Sequence, residues 1–255
     1  MTSPTDGPHL SDEQLGEVLR LMRGADSVEL KLTVPDEDRR STVVGLGLDP
    51  LDAYLRQVYF FDTLDLALDR NGVVVRARRT QDDPDDSVIK LRPVVPEELS
   101  DDVRGSKTFV VEVDAMPGGF VCSGSFKGRL DRGHVNEAVA GGRPLRKLFS
   151  KRQRAFFEQH VPDGPELDEL SILGPVTVLK LKLSPDGIDR KLAVELWFYP
   201  DGSRILELST RCKPDEAFQV AAEVRAFLAE RGVNTSGKQE TKTRAALEYF
   251  SRQMA

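Results

Sequence analysis

The sequence predicts an α+β protein built on one large antiparallel sheet or barrel. Three observations carry that expectation: about eight strand-like runs bounded by turn signals, amphipathic helices at both ends with one helical insertion, and paired charges on single faces of the strands. No Pro/Gly/Ser linker divides the 255 residues, so residues 1–255 read as a single domain.

Residues 1–10 are Pro, Ser, Thr, Asp and Gly-rich and read as a loose tail. Ser11 and Gln14 then form a capping-box pattern that opens a helix over about 12–22. It aligns Leu15, Val18, Leu19 and Met22 on one face and stops near Gly24. Strand-like runs follow at 27–34, 58–62, 72–80, 86–94 and 107–115, with "DRNG" and "QDDPDD" as turns between them. Residues 116–172 read as a helical insertion: the glycines of 118–128 suggest bends, and a helix over about 134–160 carries Arg146, Lys147, Lys151, Arg152 and Arg154. That basic face is either solvated or a lip on a binding site. Strands return at 175–184, 190–199 and 203–211, joined by the tight turns "SPDG" and "YPDG". A helix over 214–231 ends at Gly232, and a last helix over about 240–252 closes the chain.

Composition narrows the function. The chain is 39% apolar and 31% charged, with a formal net charge of −6 that argues against a general nucleic-acid binder. No run of 18 uncharged apolar residues and no apolar leader are present, which points to a cytoplasmic protein outside the membrane. Cys122 and Cys212 are isolated and read as buried reduced thiols, and His9, His134 and His160 share no metal-ligand spacing. "GLGLDP" lacks a phosphate-loop frame, and "CSGS" lacks the frame of a serine hydrolase.

The acids concentrate in turns such as "DEDRR" and "QDDPDD", whereas the bases recur inside strands. Side chains at i and i+2 of a strand share a face. That spacing joins Glu29 to Lys31, Arg76 to Arg78, Lys90 to Arg92, Glu112 to Asp114 and Lys180 to Lys182, with Glu195 and Glu207 single on the last two strands. Within most pairs the signs agree, which a merely solvated face would avoid because like charges repel. The residues between them, such as Val75, Ile89, Val111 and Leu181, are apolar and call for a helical cover. A curled sheet with helices outside and charges inside satisfies both demands. Such an interior needs a partner, and a polyanion with a divalent metal supplies one: Lys and Arg for phosphate oxygens, carboxylates for Mg²⁺ or Mn²⁺. Trp197, two residues from Glu195, is either a core residue or a stacking platform.

In their order along the chain these motifs resemble the CYTH superfamily, the triphosphate tunnel metalloenzymes. Ser27-x-Glu29-x-Lys31 is similar to the family's opening Glu-x-Glu-x-Lys, and "YFFDT" followed by "NGVVVRARR" to its aromatic-Asp-Thr and Arg-x-Arg strand. Lys90-x-Arg92, Glu112-x-Asp114, Lys180-x-Lys182, Glu195 and Glu207-x-Ser209 follow in family order, with Lys242 as the C-terminal lysine and Lys238 as the weaker match. The resemblance implies a closed eight-stranded antiparallel barrel. In it Lys31, Arg76, Arg78, Lys90, Arg92, Lys180, Lys182 and Lys242 would bind phosphate. Glu29, Glu112, Asp114, Glu195 and Glu207 would bind metal, with Glu29, Lys31 and Glu207 at the catalytic centre. The implied activity is hydrolysis of a triphosphate: inorganic triphosphate, thiamine triphosphate or a nucleoside triphosphate. Alternatives are an adenylyl cyclase of the class IV type, or a non-catalytic binder of polyphosphate or nucleotide, in a monomer or homodimer. Ser27 and Ser209 depart from the pattern, since each replaces a carboxylate and serine is a poor ligand for Mg²⁺.

Overall fold

The computed structural model describes residues 11–161, 163–235, 239 and 242–254. The expected loose tail at 1–10 and Lys238 lie outside them.

In chain order the elements are α1 (Asp12–Arg23), β1 (Ser27–Val34), α2 (Arg39–Gly45), β2 (Tyr54–Asp62), α3 (Ala67–Arg70), β3 (Val73–Thr80) and β4 (Asp86–Leu91). There follow α4 (Asp101–Arg104), β5 (Phe109–Met116), β6 (Gly119–Arg129), α5 (His134–Val139), α6 (Lys151–His160), β7 (Ser171–Leu183), β8 (Leu192–Phe198), β9 (Arg204–Cys212), α7 (Ala217–Glu230) and α8 (Lys242–Met254). The strands close into a barrel in the order β1-β5-β6-β4-β3-β2-β7-β8-β9.

The barrel is therefore nine-stranded and mixed, which corrects the expected eight-stranded antiparallel form. The extra strand is β6, lying where glycines suggested bends. A closed ring with an odd number of strands cannot alternate direction throughout, so one neighbouring pair must run parallel. That pair is β1 and β5, with Glu29 opposite Asp114; β1 meets β9, at its other edge, antiparallel.

The helical insertion expected at 116–172 is likewise shorter, because β6 and the start of β7 occupy its ends. Its single long helix is two, α5 and α6, separated by a 3₁₀ turn over Leu145–Leu148. Ser150 caps α6 in a complete capping box with Gln153, and the Gln153 side chain reaches the barrel wall at Ser87 and Phe126. Phe156 packs on Phe109 and Phe126, so α6 covers the outer wall and does not form a lip on the interior.

Two apolar clusters lie outside the strands and one within them. One outer cluster joins α1, α5, α6 and α7 to β3, β4, β5 and β6; the other packs Phe227 and Leu228 of α7 on Leu32, Val194 and Leu208. In α1 the buried face is Val18, Leu21 and Met22, whereas Leu15 and Leu19 are exposed. The inner cluster brings Ala246 and Leu247 of α8 against Val58, Phe60, Val176, Val178, Trp197 and Ile205, so α8 stoppers one end of the barrel. Cys122 and Cys212 are free and buried, as expected. No described helix is long and apolar enough to cross a membrane.

A candidate anion and metal site inside the barrel

Strand alternation sorts each wall into an apolar outer face and an inner face that changes character along the axis. On β2 the inner face runs Phe60, Val58, Arg56, Tyr54; on β7 it runs Val176, Val178, Lys180, Lys182; on β9 it runs Ile205, Glu207, Ser209, Arg211. The apolar ends meet α8. The charged middles meet one another.

Three groupings fill that middle. In the first, Glu29, Glu112 and Asp114 can each bring a carboxylate oxygen within 4.8 Å of the others. The parallel β1–β5 register places them, setting Glu29 opposite Asp114 and Ser27 opposite Glu112. Lys31 Nζ lies 2.8 Å from Asp114 and 3.1 Å from Glu29, while Lys90 and Arg92 each lie 3.5 Å from Asp114. Burial alone would raise the Asp114 pKa, but Lys90, Lys31 and Arg92 together hold it far below the usual carboxylate range. Burial likewise opposes the charge on Lys31, and Asp114 and Glu29 overcome it to raise its pKa. Arg211 lies 2.6 Å from Glu112. Ser27 Oγ donates to Glu112 at 3.2 Å, and Ser209 Oγ donates to Glu29 at 3.5 Å.

In the second, Glu195 and Glu207 face each other across β8 and β9, and Lys242 at the start of α8 spans them at 2.7 and 2.6 Å. Lys180 Nζ also donates to Glu195 at 2.7 Å, and Trp197 Nε1 donates to it at 3.1 Å. The Lys242 ammonium lies 4.9 Å from the centre of the Trp197 ring, so Trp197 is a buried core residue that also steadies this charge. Burial opposes ionisation of Glu195, yet Lys242 and Lys180 keep its pKa well below normal.

The third is cationic. Arg78 holds Asp86 through Nε at 2.8 Å and Nη2 at 2.8 Å. Arg76 beside it has no ion pair among the described residues, and its buried Nε has no hydrogen-bond partner. Burial, reinforced by the nearby Arg78 charge, pushes its guanidinium down to about 10. Burial also pulls Lys90 down to about 8 despite Asp114.

The structure thus brings Glu29, Lys31, Arg76, Arg78, Lys90, Arg92, Glu112, Asp114, Lys180, Glu195, Glu207 and Lys242 to one interior. Lys182 stands apart, exposed at the open end. The resemblance put Glu29, Glu112, Asp114, Glu195 and Glu207 together as metal ligands; here Glu29 clusters with Glu112 and Asp114, and the other two share Lys242. Sequence reasoning missed Arg56, whose Nη1 lies 3.6 Å from Glu195, as well as Arg211 and Asp86. Alternation carried two residues further along β2 and β9 finds both arginines; Asp86 had been read as part of a turn.

No protein-family model and no curated protein matches the chain. Among solved structures, it superposes on a candidate adenylyl cyclase from Hippeastrum with a dominant triphosphatase activity, at TM-score 0.65 and 16% identity over 87% of this chain and 95% of that one. A candidate adenylate cyclase from Bacillus halodurans follows at TM-score 0.59 and 14% identity, over 86% and 97%. The chain has the CYTH fold. Within that CYTH barrel, the carboxylates of Glu29, Glu112 and Asp114 are hard oxygen donors of the kind Mg²⁺ and Mn²⁺ take. Lys31 and Arg211 balance their charge in this structure.

Proposed function

We propose that the protein is a metal-dependent phosphohydrolase that draws a triphosphate-containing ligand into the charged barrel. One observation carries the reading: Arg76, a half-buried arginine on the inner face of β3 whose buried Nε is unpartnered and which forms no ion pair among the described residues. Burying an unpaired charge costs several kcal/mol unless an anion joins it. Lys90, depressed to about 8 by burial, and Arg92 stand on the neighbouring wall. Together the three offer a part-buried array of cationic donors of the kind phosphate oxygens take.

In this reading Arg76, Arg78, Lys90 and Arg92 grip the phosphate chain from β3 and the strand beside it. Lys31, Lys180 and Lys242 approach it from the opposite walls, and Lys182 meets it at the entrance. Glu29, Glu112 and Asp114 would hold Mg²⁺ or Mn²⁺, which when bound supplies Lewis-acid stabilisation of the phosphoryl oxygens. Lys31, between Glu29 and Asp114, neutralises charge where the carboxylates and the phosphate meet. Glu195 and Glu207 fix Lys242 and through it the stoppered end. Phosphoryl transfer asks little beyond such positioning and charge stabilisation. The dominant triphosphatase activity of the Hippeastrum protein favours hydrolysis over cyclisation. A second reading, binding without turnover, is favoured by Ser27 and Ser209, whose hydroxyls spend their hydrogen bonds on Glu112 and Glu29.

Phosphate release from inorganic triphosphate and from ATP, with Mg²⁺ or Mn²⁺ and with cyclic AMP assayed in parallel, decides among these. Turnover of inorganic triphosphate supports the hydrolase. Cyclic AMP as the main product replaces it with the cyclase, and tight binding without product replaces it with the binder.

A further inference from the structure

Glu112 differs from the other two carboxylates of its cluster in what neutralises it. Asp114 is buried against three cations, Lys31, Lys90 and Arg92, and Glu29 meets Lys31 at 3.1 Å. Among the described residues, the only ion pair of Glu112 is to Arg211, whose Nη2 lies 2.6 Å from it and 3.9 Å from Glu29. Ser27 adds a hydrogen bond to Glu112 and Ser209 a long one to Glu29, but neither hydroxyl brings a charge. The antiparallel β1–β9 register sets Arg211 opposite Glu29, two residues beyond Ser209 on the same inner row. Its side chain is 52% exposed, against 18% for Lys31. Lys31 is wedged between Glu29 and Asp114, whereas Arg211 has solvent on one side and can turn outward.

We propose that Arg211 is a tethered cation that competes with the divalent metal for Glu112 and Glu29, and that a bound polyphosphate relieves the competition. The inference rests on the metal and triphosphate readings above. A guanidinium and a divalent cation seek the same carboxylate oxygens and repel each other at contact range, so one must yield. A half-exposed ion pair is weak, so turning Arg211 away costs little and the metal can displace it. The planar fork of an arginine takes phosphate oxygens as readily as carboxylates. A triphosphate in the barrel therefore gives Arg211 a second partner, releases Glu112 and strengthens metal binding. By linkage the metal strengthens triphosphate binding by the same factor. Arg211 thus favours the joint arrival of metal and anion over metal alone.

The test pairs two titrations on wild type, Arg211→Met, Arg211→Lys, Glu112→Gln and Glu112→Gln/Arg211→Met. In the first, Mn²⁺ alone is followed by loss of the free-ion electron paramagnetic resonance signal. Arg211→Met should bind it about two- to fivefold tighter than wild type, the size expected of an ion pair near the surface. Arg211→Lys keeps the charge and should stay near wild type. Glu112→Gln should weaken Mn²⁺, and Arg211→Met added to it should bring a smaller gain. In the second, inorganic triphosphate is titrated calorimetrically in EDTA, and Arg211→Met should bind it about two- to fivefold more weakly. A purely structural arginine would weaken both ligands together, so opposite signs support the proposal. Unchanged or weaker Mn²⁺ binding in Arg211→Met overturns the competition. Tighter Mn²⁺ with unchanged triphosphate affinity overturns the relief by anion. Failure of the wild type to bind triphosphate overturns the tunnel reading, while the Mn²⁺ titration still judges Arg211. Arg211 is half-exposed, so its loss leaves the fold intact, which a thermal melt of each variant verifies.

Discussion

Arg76 carries a charge that no direct ion pair among the described residues compensates, and that makes its contribution separable. Replacing it with Met removes a buried charge without opening a large void. The ligand-free variant should melt at or above the wild-type temperature, because no desolvated cation remains. Its affinity for inorganic triphosphate should fall by about 10- to 100-fold, the equivalent of a charge-assisted bond of about 1.5–3 kcal/mol. A lower melting temperature with unchanged affinity would assign Arg76 a structural role instead. Lys90 gives the pH dependence. Its pKa is about 8 in the fold against 10.5 for an ordinary lysine. Between those values the unfolded chain binds more protons, so the Lys90 contribution makes the folded state more stable as pH rises from about 8 to 10. Lys31 is shifted upward from 10.5, so its contribution is constant across that window. Metal-free triphosphate affinity should move the other way, falling above about pH 8 as Lys90 loses its charge. Denaturant melts and calorimetric titrations in EDTA, compared with Lys90→Met, check both slopes; Lys90→Met should flatten each.

Two elements decide the shape of the interior: β6, which the local pattern hid, and α8, whose helix was legible but whose place in the barrel was not. β6 looks like a loop because Gly119, Gly124 and Gly128 interrupt it. Gly124 and Gly128 are there for outward packing. A Cβ on Gly124 would come within 2.6 Å of the Phe109 ring, and one on Gly128 within 2.6 Å of the Gln153 amide oxygen. Gly124→Val should therefore cost about 1–3 kcal/mol in a denaturant melt through overpacking, whereas a true bend glycine on the surface would tolerate it. The second element is α8, pinned by Lys242 between Glu195 and Glu207. Lys242→Met leaves those two carboxylates facing each other without their shared cation and should destabilise the fold by about 3 kcal/mol. Millimolar Mg²⁺ should recover part of that loss in Lys242→Met and little in Glu207→Gln/Lys242→Met. An equal Mg²⁺ response in both variants would remove Glu207 from cation binding.

Across the whole molecule, the excess of inward cations over carboxylates makes the barrel a receptor for anions of high charge density. Inorganic triphosphate at about 100 times its Kd should stabilise the fold by about 2.7 kcal/mol. For a chain of this size that is a rise of roughly 5–10 °C in melting temperature. Orthophosphate or sodium chloride at equal ionic strength should give much less. The charged rows were legible in the sequence because strand alternation is rigid: once Lys90 and Arg92 share a strand, they share a face. The grouping of those rows was not legible, since it depends on which strands become neighbours.

The sequence by itself determined the strands that carry charge, the helices that cover them and the resemblance to a triphosphate tunnel. All of these follow from periodicity and from motif order along one chain. Only the tertiary structure decided the ninth strand and, with it, the parallel β1–β5 seam that sets Glu29 beside Asp114. It also decided that Lys242 is held by Glu195 and Glu207, and that Arg76 faces the interior with an unpartnered Nε. The physical reason is the same in each case. Pairing across a barrel joins residues far apart in the chain, and a charge is compensated or orphaned by its neighbours in space.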